Sequence, residues 1–362
     1  MMIASLFRSS ATLAAVAISA LALVGCSKPV NETGSAADSD TQAKSAVKPA
    51  KTLAITQIVE HPSLDDMRRG IIDELADNGY VEGQNLTVNF QSAQGNTATA
   101  GQIAKQFAGD NPDAIVAIST PSAQSMVTAT KTVPIVYTAV SDPVGAKLLT
   151  PAGKPFQDNL TGLSSQLPLP PQLDLLQKIA PNLKTVGYVY SPGEANSVSL
   201  RDRLKAELPA RGLKLLDIPA NRPTDIGMAT RSLQGRAQVI YTSMDNNVAS
   251  AFEAMTQAAN ELKLPIVASD EFSVTRGATA ALGVNDYAFG RTTGKMVYRI
   301  LSGEPVNQVT PEVMNELTLF VSPTHAKAQG VTLSDDLLKG AVNVDNKSAS
   351  ANNQASTAET AK

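Results

Sequence analysis

Short apolar segments alternate with amphipathic helical segments along most of this chain, and that alternation limits the fold more than any other feature. Residues 114–118 are apolar without interruption, which is typical of a strand buried on both faces. An earlier segment shows the helical period, with apolar side chains at Leu64, Met67, Ile71 and Leu75. Strands that alternate with helices predict parallel sheets covered by helices on both sides.

The alternation occurs in both halves of the chain, which predicts two lobes of similar size. We expect strands over residues 53–58, 86–90, 114–118 and 134–140, and again over 185–190, 213–218, 238–242 and 265–268. Helices in the second half are expected over 198–210 and 248–263. About 290 residues carry this pattern, and that length is large for a single core.

The last two elements decide how the lobes are connected. A helix over 287–301 and a strand over 317–321 follow the second set of strands, and we expect both to return to the first lobe. The predicted fold class is α/β, with two Rossmann-like lobes, parallel sheets and a hinge that the chain crosses several times. The expected boundaries place residues 52–163 and 286–325 in lobe 1 and residues 164–285 in lobe 2.

The first 26 residues carry a secretion signal that ends at the only cysteine of the chain. Arg8 precedes an apolar stretch over 11–24, and the small Gly25 comes directly before Cys26. This order is typical of a bacterial lipoprotein, in which residues 1–25 are removed and the Cys26 thiol receives acyl chains such as palmitate. The mature protein would lie on the periplasmic side, anchored to the cell membrane. The alternative is a cytosolic protein with a chance apolar terminus. A spanning helix is not expected, because the apolar stretch is shorter than the roughly 20 residues that a bilayer needs.

Both ends of the mature chain are polar. Residues 26–51 are rich in Ser, Ala, Lys and Thr, and this composition predicts a flexible tether between the membrane and the fold. Residues 343–362 have the same character, which predicts a disordered tail.

Composition argues against several classes of function. Without residues 1–25 the chain has 29 basic and 33 acidic residues, and this mildly acidic composition argues against a nucleic-acid partner. Two histidines and one lipidated cysteine leave few ligands for a zinc or copper site, and no cofactor is expected. The chain has neither a Gly-x-Ser-x-Gly elbow nor a Gly-x-x-x-x-Gly-Lys loop. We therefore predict a binding protein rather than an enzyme, with an extracytoplasmic enzyme as the alternative.

The loops that follow the strands are the candidate binding sites, because ligands of open parallel sheets bind at the carboxyl ends of the strands. In the loop after residues 114–118, Thr120 is a predicted helix N-cap and Pro121 suits the first helical position. The free N–H groups of that helix, with the hydroxyls of Ser119, Thr120 and Ser122, would form a cradle for a carboxylate. The alternative is an ordinary capped helix.

Four further loops carry polar side chains at the same edge of the sheets. Asp142 would pair with an ammonium group or cap its own turn. Asp245 and Asn246 would contact a polar ligand or cap a helix. The remaining candidates are Glu194, Asn196, Ser197 and Asp270.

Histidine and tyrosine side chains near these loops have two interpretations each. His61, after the first strand, is expected to be a structural hydrogen-bond partner rather than a catalyst. Tyr137, Tyr190 and Tyr241 would either stack on an aromatic ligand or belong to the core.

A set of short motifs, in order along the chain, resembles one protein family. The motifs occupy residues 57–65, 79–85, 91–95, 119–124, 139–145, 192–197 and 245–246. Over residues 53–331 they are similar to the ABC-transporter substrate-binding proteins related to the tryptophan/tyrosine-binding lipoproteins.

The resemblance implies a type I periplasmic-binding fold that closes over one small molecule and delivers it to a membrane permease with a cytoplasmic ATPase. The implied ligand is an amino acid, aromatic by preference, and residues 119–122 would hold its α-carboxylate. Its α-ammonium would face Asp142, Asp245 or Glu194. Further hydrogen bonds would come from Asn196, Ser197 and Asn246.

Other uses of the same fold stay open. One is a ligand sensor that passes its signal to a membrane receptor. Another is an importer component for a branched aliphatic amino acid or a nucleoside-like ligand. In each case the protein is expected to act as a monomer with no metal site.

Overall fold

The computed structural model describes residues 48–314 and 316–346. The predicted signal over 1–25, the lipid attachment site Cys26, and most of the predicted tether and tail lie outside the described residues. In the described part of the chain, no helix is long and apolar enough to cross a membrane.

The first part of the chain alternates strand and helix and forms a parallel sheet. Its elements are β1 (Lys51–Gln57), α1 (Pro62–Asp77), β2 (Leu86–Ser92), α2 (Thr97–Asp110), β3 (Ala114–Ile118), α3 (Thr120–Ala129), β4 (Ile135–Val140) and β5 (Leu160–Ser164). The strand β1 lies between β2 and β3, and β4 and β5 extend the sheet beyond β3. This sheet is the centre of the first lobe.

The second part repeats the same architecture around a second parallel sheet. Its elements are α4 (Leu169–Ile179), β6 (Thr185–Tyr190), α5 (Ala195–Glu207), β7 (Lys214–Pro219), α6 (Ile226–Arg231), β8 (Val239–Tyr241), α7 (Asn246–Ser250), α8 (Phe252–Leu262), β9 (Ile266–Ala268), α9 (Glu271–Thr275) and β10 (Ala280–Gly283). The strands lie in the order β10-β9-β8-β6-β7. This sheet is the centre of the second lobe.

The last part of the chain crosses back to the first lobe and then returns to the second. Its elements are α10 (Asp286–Leu301), β11 (Glu312–Val313), β12 (Thr318–Val321), α11 (Pro323–Ala328), α12 (Asp335–Lys339) and β13 (Val342–Asn343). The strand β11 pairs with β5, whereas β12 pairs with β10 and β13 pairs with β12. The chain therefore passes between the lobes three times, which agrees with the predicted hinge of several crossings.

The helix α10 returns to the first lobe because it packs tightly against α1. Gly70 on α1 and Gly290 on α10 face the opposite helix, and a Cβ atom at either position would collide with the backbone there. The hydroxyls of Thr138 and Thr293 form a buried hydrogen bond of 2.8 Å between β4 and α10. Small residues at the crossing thus let two helices approach closely.

The strand β12 corrects the expected lobe boundary, which placed residues 286–325 in lobe 1. It pairs antiparallel with β10 in the second sheet, with Phe320 opposite Ala281. Phe320 is buried in the core of the second lobe. An apolar run indicates a buried strand but not the sheet that takes it up, so the sequence did not separate the two destinations.

The fold begins before the end of the predicted tether, which was expected to cover residues 26–51. The Lys48 Nζ atom donates a hydrogen bond of 3.0 Å to the Tyr298 hydroxyl and lies over the rings of Tyr80 and Tyr298. Lys51 is already the first residue of β1. Residues 48–51 therefore belong to the folded lobe, and cation–π contacts fix the start of the chain against it.

The C-terminal end of the fold extends into the predicted disordered tail. The strand β13 includes Asn343, and the Asp345 carboxylate accepts a hydrogen bond of 2.6 Å from the Ser322 hydroxyl. The Thr324 backbone N–H donates to the same carboxylate at 3.0 Å. Residues 343–346 are thus part of the second lobe.

Candidate ligand-binding site

The loops at the carboxyl ends of the strands of both sheets surround a cavity of about 640 Å³, a volume that includes its open mouth. The first lobe contributes Val59, His61, Ser63, Leu64, Ser119, Thr120 and Ala139. The second lobe contributes Asn196, Thr242, Ser243, Met244, Asp245, Asn246, Val248, Ala249, Phe252, Asp270 and Ser273. The position agrees with the rule that open parallel sheets bind ligands at this edge.

The structure brings six of the eleven predicted binding residues to this cavity. They are Ser119, Thr120, Asn196, Asp245, Asn246 and Asp270. The other five contact neighbouring parts of the molecule instead; they are Pro121, Ser122, Asp142, Glu194 and Ser197.

Ser119 occupies the N-cap position of α3, one residue before the predicted cap Thr120. It makes no capping bond with its side chain, and its φ of 85° and ψ of 158° lie in a region that is strained for any residue except glycine. Ser119 is 4% exposed, and its hydroxyl has no hydrogen-bond partner in the described part of the chain. The first turn of α3 also leaves backbone N–H groups without helical partners. A buried, unpaired hydroxyl therefore lies beside a helix N-terminus in the cavity wall.

Three of the seven described non-glycine residues with a positive φ line this cavity. Ser119, Ala139 and Met244 have positive φ values of 85°, 54° and 49°, and all three line the cavity. They lie at or just beyond the ends of β3, β4 and β8. Strain of this kind costs about 1–3 kcal/mol per residue and clusters at functional sites. The observation favours a binding role for this edge over a purely structural one.

The Asp245 carboxylate lines the cavity but is already fully hydrogen-bonded. It accepts from the Ser191 backbone N–H and hydroxyl at 2.7 Å each, from the Ser197 hydroxyl at 2.6 Å, and from the Val248 N–H at 3.0 Å. These four bonds use the capacity of a carboxylate. Asp245 is therefore the N-cap of α7 and the centre of a polar cluster in the second lobe, and Ser197 is part of that cluster.

The Asp270 carboxylate retains room for a further donor. It caps α9 by accepting from the Ser273 backbone N–H and hydroxyl, each at 2.7 Å. Each carboxylate oxygen accepts about two hydrogen bonds, so the pair of oxygens has unused capacity toward the cavity. Of the four carboxylates predicted at the site, Asp270 is the one that combines a cavity position with spare acceptors.

Asn196 lines the same cavity and carries an unpaired acceptor. Its amide nitrogen donates to the Met244 carbonyl at 2.7 Å, which fixes the orientation of the side chain. Its Oδ1 atom is buried without a hydrogen-bond partner among the described residues. Burial of an unpaired acceptor costs about 1–3 kcal/mol, so a donor from a ligand would be stabilised there.

Glu194 lies behind this wall rather than in the cavity. It faces a groove between α2, α3 and the loop before α5, a groove that Pro121 also lines. Its Oε2 atom accepts from the Asn246 side-chain amide at 2.5 Å and from the Asn196 amide at 3.2 Å. Burial, and then the neighbouring Asp245 charge, raise the pKa of Glu194 to about 7. Glu194 therefore orients both asparagines.

Asp142 faces a smaller cavity of about 330 Å³ that shares Asn196 and Ser243 with the main one. Its Oδ1 atom accepts from the Gly145 backbone N–H at 2.8 Å. Asp142 therefore caps its own turn, which is one of the two roles predicted for it. Its Oδ2 atom accepts a hydrogen bond from Ser199 on α5, in the second lobe. Asp142 thus connects the lobes beside the main cavity. Ser122 is fully buried within α3.

The three candidate tyrosines do not line the main cavity, within the residues that the structure describes. Tyr137 is buried in the first core, and burial raises its pKa. The Tyr190 ring stacks on Tyr188, and Tyr241 faces the smaller cavity. The aromatic side chain of the main cavity is Phe252, at the start of α8. Its position after the β8 loop was the only sequence signal for this role.

His61 is a hydrogen-bond partner, as predicted, and it also reaches the other lobe. Its Nδ1 atom lies 3.3 Å from the Ser63 backbone nitrogen at the start of α1. Its Nε2 atom lies 2.7 Å from Nη1 of Arg276 in the second lobe. The sequence carried no signal for Arg276, because 215 positions separate it from His61.

Metal ligands are not grouped at this site. Within residues 48–314 and 316–346, no group of three or more His, Cys, Asp or Glu side chains could hold a metal ion. The chemistry of the cavity is that of hydrogen bonding and apolar contact.

Comparison with known proteins identifies the chain's relatives. The family model described as ABC transporter substrate binding protein matches residues 52–345. A tyrosine-binding protein from Clostridioides difficile is 35% identical over 318 residues, which cover 88% of this chain and 91% of that protein.

Two solved structures extend this similarity. An ABC domain in complex with L-tryptophan from Streptococcus pneumoniae is 29% identical, with a TM-score of 0.77, and covers 81% of this chain and 99% of that one. A ligand-free, open substrate-binding protein with adhesive properties from Clostridium difficile is 36% identical, with a TM-score of 0.63 and the same coverage. The present structure is thus more similar overall to the L-tryptophan complex than to the open structure.

The fold and the family agree with each other. Two parallel-sheet lobes joined by three crossings form the type I periplasmic-binding fold that the resemblance implies. Members of this family bind solutes and are not enzymes. Because the family model spans residues 52–345 and a relative is 35% identical over 88% of the chain, this protein belongs to the family of ABC transporter substrate-binding proteins.

Proposed function

We propose that this protein binds an aromatic amino acid, L-tyrosine or L-tryptophan, in the main cavity and delivers it to an ABC permease. The observation that carries the proposal is the unpaired, buried Ser119 hydroxyl beside the N-terminus of α3. The names of two relatives, a tyrosine-binding protein and a domain in complex with L-tryptophan, support the choice of ligand.

The α-carboxylate of the ligand would lie against Ser119, Thr120 and the first turn of α3. The N-terminus of a helix carries a partial positive charge and free N–H groups, and both favour an anion. The Ser119 hydroxyl would gain the partner that it lacks in the described structure. The backbone strain at Ser119 would then serve to point this hydroxyl at the ligand.

The α-ammonium would donate to the Oδ1 atom of Asn196. The helices α3 and α5 contact each other across the lobes, which brings the Asn196 end of α5 near the Ser119 loop. An ammonium carries three donors and no acceptor, so it suits an unpaired amide oxygen. This assignment replaces Asp142, Asp245 and Glu194, whose carboxylates are occupied or face elsewhere.

The side chain of the ligand would extend toward the loops after β1 and β9. In the second sheet β8 lies between β6 and β9, so the loops that carry Asn196 and Asp270 are about 10 Å apart. The wall of the cavity includes the apolar side chains Val59, Leu64 and Phe252. Asp270 would accept a hydrogen bond from a phenol hydroxyl or an indole N–H at the far end. An aromatic ligand side chain with one polar atom at its end fits an apolar wall that is followed by the Asp270 acceptor.

Delivery follows from the two lobes and the membrane anchor. A ligand that contacts both lobes stabilises the closed state, and only that difference shifts the population. The inferred partner is a permease with a cytoplasmic ATPase, and the protein would act as a monomer outside the cytoplasm. Acyl chains on Cys26 would raise its effective concentration at the permease. Incorporation of a palmitate analogue into the wild-type chain, and its loss in Cys26→Ser, would test the anchor.

A thermal-shift screen of the chain from residue 26 onward, with Cys26→Ser, tests the ligand. We expect L-tyrosine and L-tryptophan to raise the melting temperature, because a ligand at 100 times its dissociation constant adds about 2.7 kcal/mol of stability. Ser119→Ala should reduce the shift by about half or more, because tenfold weaker binding lowers the added stability from about 2.7 to about 1.4 kcal/mol. Ser125→Ala, which removes a hydroxyl from the same helix outside the cavity, should preserve it. A shift with uridine or a sugar, and none with any amino acid, would overturn the proposal.

A further inference from the structure

One hydrogen bond between side chains of different lobes lies at the rim of the main cavity. His61, in the loop after β1, meets Arg276, directly after α9, with 2.7 Å between Nε2 and Nη1. Arg276 is held from the second lobe by Glu253, which accepts from its Nε and Nη2 atoms at 2.7 Å each. Its Nη1 atom also donates to the carbonyl of Ala249, a residue of the cavity wall, at 2.9 Å.

The chemistry of arginine fixes the protonation of His61 in this arrangement. A guanidinium has only N–H donors, so the Nε2 atom of His61 must present a lone pair to Arg276. The Nδ1 atom of the same ring faces another donor, the Ser63 backbone N–H, at 3.3 Å. A neutral imidazole has one lone-pair nitrogen, so Nε2 accepts from Arg276 in the tautomer that carries its proton on Nδ1, and the longer Ser63 contact is then not a hydrogen bond. An imidazolium carries a proton on both nitrogens and opposes both donors. The contact with Arg276 is therefore compatible with one tautomer of neutral His61 and incompatible with the cation.

A second hydrogen bond between the lobes lies on the other side of the ligand loop. Asp142, in the loop after β4, accepts from Ser199 on α5. In the first sheet β3 lies between β1 and β4, so the Ser119 loop lies between the loops of His61 and Asp142. The proposed carboxylate site is thus flanked on both sides by bonds that connect the lobes.

We propose that His61 and Arg276 are a positioning pair that holds the lobes closed over the ligand, and that closure requires His61 to be neutral. The affinity for the ligand then falls when the solution becomes acidic, because the open protein must release a proton from His61 to close. The choice of ligand rests on the proposed function, whereas the closure itself does not.

Charged groups from three elements face His61, and together they raise its pKa, but burial outweighs them and the pKa of His61 is lowered. Burial lowers the pKa of His61 and is the largest effect; Arg276 lowers it further, whereas Asp270, Asp65 and Glu253 raise it. Asp270 in turn faces Asp286 of α10, whose pKa is raised chiefly by burial. An exposed histidine in the open state has a pKa of about 6.5, so at pH 5 the loss of affinity has an upper limit of about thirtyfold.

Titration calorimetry with L-tyrosine between pH 8 and pH 5 tests the pair. The wild type should lose between about threefold and thirtyfold in affinity over this range. His61→Gln keeps a neutral acceptor for Arg276 and should bind at pH 8 within about threefold of the wild type, with no loss at pH 5. His61→Ala should bind weakly at both values. Glu194→Gln, a control for a carboxyl whose pKa is raised to about 7, should keep the wild-type pH dependence.

A measurement without ligand separates this proposal from the proposed function. Spin labels on Thr97→Cys and Asn221→Cys, two exposed positions in different lobes, report the distance across the cleft in the Cys26→Ser chain. The distance should lengthen from pH 8 to pH 5 in the chain with His61 and stay constant in His61→Gln. Equal behaviour of both chains, or full pH dependence of affinity in His61→Gln, would overturn the role of the pair. If L-tyrosine fails to bind while the distances change as expected, only the ligand assignment is wrong.

Discussion

The Ser199 hydroxyl of the second lobe donates a hydrogen bond to the Asp142 carboxylate of the first, across the smaller of two adjoining cavities. The same carboxylate caps its own turn through the Gly145 N–H. Asp142 therefore caps its own turn and also connects the two lobes. A substitution at Ser199 removes the bond between the lobes and keeps the turn cap, so Ser199 is a better position to test than Asp142.

Ser199→Ala should weaken ligand binding without unfolding the first lobe. Loss of one hydrogen bond costs about 0.5–1.5 kcal/mol, which corresponds to roughly a twofold to tenfold increase in the dissociation constant for L-tyrosine. The melting temperature without ligand should stay close to that of the wild type, because the turn cap at Asp142 is intact. Titration calorimetry measures the affinity, and an unchanged dissociation constant would show that this bond does not contribute to closure.

Ser119→Gly and Ser119→Ala should separate strain from binding. Glycine adopts the backbone conformation of Ser119 freely, whereas alanine keeps the strain. The glycine variant should therefore be more stable than the alanine variant by about 1 kcal/mol. Both variants lose the hydroxyl and should bind L-tyrosine at least about tenfold more weakly. Urea unfolding and calorimetry measure the two effects. Equal stabilities would contradict the strain argument, and retained affinity in both would contradict the carboxylate assignment.

Asp270→Asn should reduce the discrimination between L-tyrosine and L-phenylalanine. A hydrogen bond to a charged carboxylate contributes about 1.5–3 kcal/mol, and only the phenol of L-tyrosine makes it. Asparagine still caps α9, so the fold should be retained. The ratio of the two dissociation constants is the measurement. A ratio that is the same in both proteins would place the ligand side chain away from Asp270.

Glu194 should make the wild type less stable as the pH rises from 5 to 8. The pKa of Glu194 is raised to about 7 in the fold, whereas an unfolded glutamate has a pKa of about 4.5. Between these values the unfolded chain releases a proton that the folded chain keeps, so stability falls on the order of 2 kcal/mol as the pH passes through this window. Glu194→Gln lacks this contribution and keeps an amide oxygen for Asn246.

Urea unfolding of both proteins at several pH values checks the Glu194 prediction. The difference in free energy of unfolding between Glu194→Gln and the wild type should grow in favour of the variant from pH 5 to pH 8. A difference that does not depend on pH would mean that Glu194 is ionised with an ordinary pKa in the fold.

The regular elements were the most predictable part of the fold. Residues 114–118 and 185–190 were predicted as strands and form β3 and β6 with the same limits. The helix expected over 248–263 instead breaks at Ala251 into two, because a face of apolar residues continues through a bend that periodicity does not detect. The short strand β5 contains threonine, glycine and serine, and because this composition is not typical of a buried strand, the sequence did not predict it.

The loops that line the cavity were predictable from a rule of topology, but the contacts of their side chains were not. Six predicted residues line the cavity because the carboxyl ends of parallel strands meet at one edge. Asp245 and Asp142 look alike as loop carboxylates in the sequence, yet one is fully bonded within its lobe and the other connects two lobes. Which donors reach a carboxylate depends on contacts between distant segments, and the single sequence does not contain them.

A crystal structure of the mature chain grown with L-tyrosine tests the central claim most directly. We predict density for one amino acid between the lobes, with its carboxylate on Ser119 and the first turn of α3, its ammonium at Asn196, and its phenol at Asp270. An empty cavity at saturating L-tyrosine, or an amino acid bound with its carboxylate at Asp270, would contradict this account.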